Sequence, residues 1–283
     1  MNGAEFSSSF FSGRLQLVGI AAGVIVSILA ANVWPALLST PNVWAALILE
    51  SAFLAAFLWW AKGGGPPRAL KAFRVFIFRD VDLTLNQWAW GLVAALFFAI
   101  SVHAALVLLF RLIPYPVAMF RRGYDLSVVP SHTIQWLVVV VAAASAAICE
   151  EIAFRGFLQR PIESRYGLWL AVVISALAFT ALHLGKSWAL AAMIPIVFGA
   201  GLLLGLLAHA AASLVPGMIG HFIMDVGLFA YWWTGIAGQF PGRPILETGV
   251  DPAFVGAGCV LVVSLAFVAG GIRRLRHIAQ DVA

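Results

Sequence analysis

Residues 146–156 read AAICEEIAFRG, two glutamates and an arginine inside a stretch that is otherwise apolar on both sides. Glu151 and Arg155 are four apart, so on a helix they share a face and can pair. Glu150 sits about 100° round the same helix and lacks that partner. A carboxylate left without a cation inside an apolar helix is a candidate general base, able to take a proton from water. The same three residues also fit a charged helix end at a membrane surface.

Two further stretches carry groups that could work with it. AFTALHL (178–184) holds His183 with Phe179 one turn before it, and GHFIMDVG (220–227) holds His221 and Asp225 four apart. The second spacing lets a carboxylate orient an imidazole, or lets both face one cavity. A glutamate, two histidines and an aspartate gathered round a water-filled pocket suit two chemistries. One is a glutamate acting as base on a water, with histidine donors assisting; the other is a metal centre with an activated water. The H-E-x-x-H helix of common zinc proteases does not occur.

The elements that must position these groups are membrane helices. Hydrophobic residues make up 63% of the 283 and charged residues only 10%, far from the roughly one quarter charged of a soluble domain. The expected fold is all-α, a polytopic membrane helix bundle of about eight transmembrane helices. Their spans are 15–38, 43–61, 87–112, 134–160, 166–184, 187–211, 214–234 and 252–272, each near the ~20 residues that cross a bilayer. A Gly/Pro linker and a basic, aromatic stretch at 62–86 read as an amphipathic helix at the interface. Three parts follow: N-terminal spans over 1–133, a catalytic helical core over 134–235, and a C-terminal span with its tail over 236–283.

The net charge of +5 does not point to nucleic acid, because the basic residues lie mostly in short loops between spans. Twelve of the 17 Lys and Arg fall on the side of the N-terminus, 62–86, 155–165 and the C-terminus. The positive-inside rule therefore makes both termini cytoplasmic. Cys149 and Cys259 lie within apolar segments and indicate no disulfide framework. Ionisable residues inside spans are costly and usually face the bundle interior, and Glu50, His103 and His209 join the residues above in that class. An ion or proton path through Glu50, His103, Glu150 and Asp225 would make a transporter, and a partner-binding membrane scaffold is a third option.

Three motifs bring a resemblance. Glu150-Glu151-Ile-Ala-Phe-Arg155 stands as E-E-x-x-x-R, Phe179-Thr-Ala-Leu-His183 as F-x-x-x-H, and His221-Phe-Ile-Met-Asp225 as H followed by Asn or Asp. SLVPGMIGH before the last histidine adds to them. In this order, each in a membrane span, they resemble the CPBP intramembrane proteases, also called the CAAX-protease or Abi family. That family includes the prenyl-protein endopeptidase of the endoplasmic reticulum.

The resemblance covers roughly 134–235. It implies an endopeptidase in a multi-pass protein of a bacterial cytoplasmic membrane, acting in the lipid bilayer on a membrane-associated protein or peptide that can be lipid-modified. It implies that Glu150 and His183 activate water, that His221 and Asp225 complete the pocket, and that Glu151 and Arg155 support it. The eukaryotic prenyl-protein enzymes have asparagine where this chain has Asp225. An ionised aspartate cannot donate a hydrogen bond, so Asp225 is expected to orient His221 instead. Both a zinc or other divalent metal held by Glu150, His183 and His221 and a metal-independent mechanism fit. A hairpin turning near 163 would leave Glu150 and His183 roughly 10 Å apart in depth.

Overall fold

Four of the long helices begin where a polar side chain takes up orphaned backbone N–H groups. Asn42 Oδ1 accepts from the amides of Trp44 and Ala45 at the start of α1 (Val43–Ala61). Thr84 and Gln87 cap one another's amides at the start of α3 (Leu85–Leu112), and Ser131 Oγ accepts from Ile134 N before α5 (His132–Glu151). Asp251 Oδ1 accepts from Phe254 N where α11 (Pro252–Asp281) begins, and its Oδ2 meets Arg111 Nη2 at 2.6 Å, joining the ends of α3 and α11. The remaining helices are α2 (Lys71–Phe78), α4 (Val117–Arg121), α6 (Arg160–Tyr166), α7 (Leu168–His183), α8 (Ile194–Ala211), α9 (Val215–Gly227) and α10 (Ile245–Thr248). These elements come from a computed structural model that describes eight positions between 17 and 29 and then residues 42–79, 82–121, 125–186 and 191–281.

Among the described residues five helices are long and apolar enough to cross a membrane: Val43–Ala61, Leu85–Leu112, His132–Tyr166, Ala191–Ala211 and Pro252–Ala279. The chain is thus an all-α integral membrane bundle, and the count of eight spans is not reproduced. The expected span 15–38 lies mostly outside the described residues. Helix α7 has 16 residues, about 24 Å of rise against the ~30 Å hydrocarbon core. Helix α9 ends after 13 residues and continues only as a π-helical stretch, Leu228–Trp233.

The segment with the two glutamates also ends later than its composition suggested. Helix α5 continues through a π-helical stretch, Ile152–Gln159, directly into α6, and the chain reverses at Gly167 with φ 89°. Glu150 and His183 then lie nearly equal numbers of residues before and after the turn. The 10 Å depth difference came from placing that turn near 163, and it disappears. The cause is legible after the fact: a left-handed φ suits glycine, and Gly167 rather than Pro161 breaks the helix.

The turn is locked by charge. Glu163 Oε2 accepts from Arg79 Nη2 at 2.6 Å and from Gln159 Nε2 at 3.2 Å, while Oε1 faces His209 Nδ1 at 2.8 Å and Arg160 Nη1 at 3.3 Å. Arg79 also donates to the Ala208 carbonyl. Four segments are thereby tied at one end of the bundle. Within 62–79, Arg74 turns inward. It is fully buried, donates to the carbonyls of Trp60, Gly64, Gly65 and Pro67, and stacks over the Trp60 ring at 4.8 Å.

Helices approach closely where side chains are smallest, the usual device of membrane interfaces. A Cβ on Gly201 would stand 3.0 Å from Ala176 Cα, which brings α8 onto α7. A Cβ on Gly220 would stand 3.1 Å from Ala95 Cα, which brings α9 onto α3. In α5, Ala142, Ala143, Ala146 and Ala147 are all buried. Gly220→Val should therefore cost about 1–3 kcal/mol, because the obstructing atoms are backbone and cannot swing aside. Thermal unfolding in detergent reads this; an unchanged midpoint would show that α3 and α9 do not pack so closely.

Candidate active site

Helices α5, α7 and α9 each deliver part of one cluster, one or two residues at a time. Helix α5 ends on Glu150 and Glu151, α7 ends on His183, and α9 presents His221 and Asp225 on successive turns. Glu150 Oε2 stands 3.9 Å from His183 Nε2 and 3.8 Å from His221 Nε2. Asp225 Oδ2 lies 3.5 Å from the same His221 nitrogen. Residues far apart in sequence are thus brought to one point, buried to 6% exposure at Glu150 and 2% at His221.

The other ring nitrogens set the tautomers. His183 Nδ1 is 2.7 Å from the Phe179 carbonyl, which can only accept, so Nδ1 carries the proton. His221 Nδ1 is 2.9 Å from Glu151 Oε1 and donates to it likewise. His183 in this tautomer turns an Nε2 lone pair toward Glu150, while His221 Nε2 faces both Glu150 and Asp225. Two ring nitrogens and two carboxylate oxygens face one another at separations that exceed those of good direct hydrogen bonds. Such a set is satisfied by a small donor at its centre, and a water has the two O–H groups to do it.

Glu151 organises the wall of this pocket. Its Oε1 holds His221 and lies 3.2 Å from Arg155 Nη1, with both partners of that pair fully buried. Arg155 Nη2 donates to the Gly201 carbonyl at 3.2 Å, and the guanidinium lies over the Phe179 ring at 4.6 Å. That ring in turn packs against His183 at 4.4 Å and meets His221 edge-on at 5.9 Å. The pairing of Glu151 with Arg155 was readable from their spacing. That Glu151 orients His221 was not, and Asp225, expected in that role, lies on the opposite side of the ring, facing Nε2.

Several contributors went unnoticed in the sequence. Gly201 supplies the carbonyl that Arg155 needs, and Gly205, one turn on, supplies another to Gln159 at 2.9 Å. Gly217 leaves room for Glu151: a Cβ there would stand 3.3 Å from its Oε2. The signal was the repeat of glycine at four-residue spacing in GAGLLLG (199–205). Glu50, His103 and His209 each bond outside the cluster. Ser145 Oγ donates to Glu50, Trp232 Nε1 donates to His103 Nδ1, and His209 meets Glu163.

A metal would draw on the same atoms. Two imidazole nitrogens and a carboxylate are ligand types that zinc accepts. Bonds of 2.0–2.1 Å in a tetrahedron set ligands about 3.3 Å apart, closer than the separations from Glu150 to the two histidines. Among the described residues no three His, Cys, Asp or Glu gather as a metal site requires. The donor types fit and their spacing does not.

Glutamates and histidines thus converge inside an all-α membrane bundle. Residues 132–227 match the family model of the type II CAAX prenyl endopeptidases, Rce1-like, over a stretch that contains all three motifs. The match spans about a third of the chain, and over that stretch it supports the likeness to the CPBP, or CAAX protease, family. No curated protein and no solved structure gives a significant match to the chain.

The Glu151–Arg155 pair can be probed apart from any activity. Arg155→Leu should destabilise the protein by about 3–5 kcal/mol, because it leaves a carboxylate buried without its cation. Adding Glu151→Gln should return part of that loss, measured as a coupling in thermal or denaturant unfolding. Strict additivity of the two changes would show that they do not interact.

Proposed function

We propose that the chain is a glutamate-dependent intramembrane endopeptidase, hydrolysing a peptide bond of a membrane-associated, lipid-modified protein or peptide. The observation that carries this reading is the convergence of Glu150 Oε2 with His183 Nε2 and His221 Nε2, inside a domain that matches prenyl endopeptidases. A water between these atoms donates to Glu150 and to one imidazole. Glu150 takes its proton as the oxygen attacks the scissile carbonyl carbon, and returns that proton to the leaving amine as the C–N bond breaks. His221, in its doubly protonated form, donates through Nδ1 to Glu151 and through Nε2 to the oxyanion. Asp225 accepts from His221 Nε2 whenever the oxyanion is not there to do so.

Glu151 and Arg155 act through His221 and are positioning residues. The remote lipid anchor of such a substrate would hold its peptide bond at the site, so that bilayer affinity serves orientation. Basic residues gather at the bundle end formed by 62–79, 160–165 and 273–276. This end is taken as cytoplasmic, with the C-terminus on that side.

Glu150→Gln keeps the shape and removes the base, so cleavage of a prenylated C-terminal peptide in proteoliposomes should fall about 10²–10⁴-fold. The thermal midpoint should stay near wild type, and unchanged cleavage would remove Glu150 from the role. Metal-assisted catalysis is the alternative that a chelator separates. Full activity in metal-free protein supports water activation by Glu150, and chelator-sensitive activity restored by zinc supports the metal.

A further inference from the structure

Away from the site, α3 and α11 enclose a cleft of about 340 Å³ lined by Trp90, Gly270, Arg273, Arg274 and His277. Residues 270, 273, 274 and 277 form one stripe of α11, spaced by three and four. The two helices are in close contact just beside it, since a Cβ on Gly271 would stand 2.9 Å from Ala94 Cβ. Gly270 has nothing within 4 Å of its own Cβ position, so it leaves the wall open where a side chain would fill it. Arg274 lies over the Trp90 ring at 5.9 Å, which holds one guanidinium at the mouth. Among the described residues no carboxylate lines the cleft.

We propose that this cleft binds the phosphate of an anionic phospholipid. Two guanidinium groups and an imidazole offer convergent donors for phosphate oxygens, and guanidinium does so in bidentate fashion. The tryptophan sits where indole rings meet headgroups, at the end of a membrane helix. The same stripe of α11 continues toward the middle of the helix as Phe267 and Val263, which are 46% and 51% exposed, and Leu92 and Leu96 of α3 are exposed nearby in sequence to Trp90. An acyl chain has an apolar track there, which free phosphate would not use. The assignment is independent of the proposed peptidase chemistry.

The full chain in detergent, offered phosphatidylglycerol or phosphatidylcholine of identical acyl chains, tests it by native mass spectrometry. Phosphatidylglycerol should be retained preferentially, and Arg273→Gln with Arg274→Gln should weaken its retention about 30-fold, from typical contributions of surface arginines. Both residues are exposed, so the double variant should keep its unfolding midpoint. Arg276→Gln removes a positive charge of the same helix end outside the cleft and should leave retention as in wild type. Equal retention of the two lipids would overturn the site. So would an equal loss with Arg276→Gln, or displacement of phosphatidylglycerol by inorganic phosphate at equal concentration.

Discussion

The interior of this protein depends on one buried carboxylate. Glu151 is fully enclosed, and its Oε1 serves an arginine and a histidine at once. In a low-dielectric interior an ion pair gains Coulomb energy, but each ion loses its water, and the balance is favourable only when remaining donors are also satisfied. Arg155 meets this condition in part, through the Gly201 carbonyl and the face of Phe179, while its Nε has no hydrogen-bond partner among the described residues. Phe179 then supplies the carbonyl for His183 and packs both imidazoles. Each member of the cluster is therefore held by a group that is itself held, and the fixed points are backbone carbonyls.

Supplying those carbonyls constrains the helices more than hydrophobicity does. In an α-helix a carbonyl is committed to the amide four residues on, and can serve a second donor only from the side. A side chain can come that close only where the carbonyl's own helix is bare. Gly201 and Gly205 provide two such places one turn apart, opposite Arg155 and Gln159. The π-helical stretch that carries both side chains belongs to the same accommodation. Widening the turn changes which faces successive residues present, a device often found at functional sites.

The sequence disclosed the membership of the site better than its arrangement. Spacing of four paired Glu151 with Arg155, and apolar context separated buried charges from loop charges. Spacing alone said nothing of which residue on another helix would take His221 Nδ1, because interhelical approach is set by small residues whose effect is visible only in three dimensions. The same limit explains Arg74, which composition placed among surface cations. It lies instead inside a turn of four carbonyls that a one-dimensional count cannot see. The span count is matched only in part among the described residues: a glycine turn leaves α7 16 residues long, and α9 passes into a π-helical stretch after 13.

The i,i+4 pair of His221 and Asp225 shows how one spacing supports two different arguments. A carboxylate one turn away can reach either ring nitrogen, and local geometry does not choose between them. Glu151 chooses, by occupying Nδ1 from another helix, so Asp225 is left on the side that faces Glu150. Two carboxylates then point toward one pocket with nothing between them but imidazole nitrogens. The four groups lie close enough together for a proton to pass between them with small movements. That is what the proposed peptide hydrolysis would ask of a base that must also become the acid.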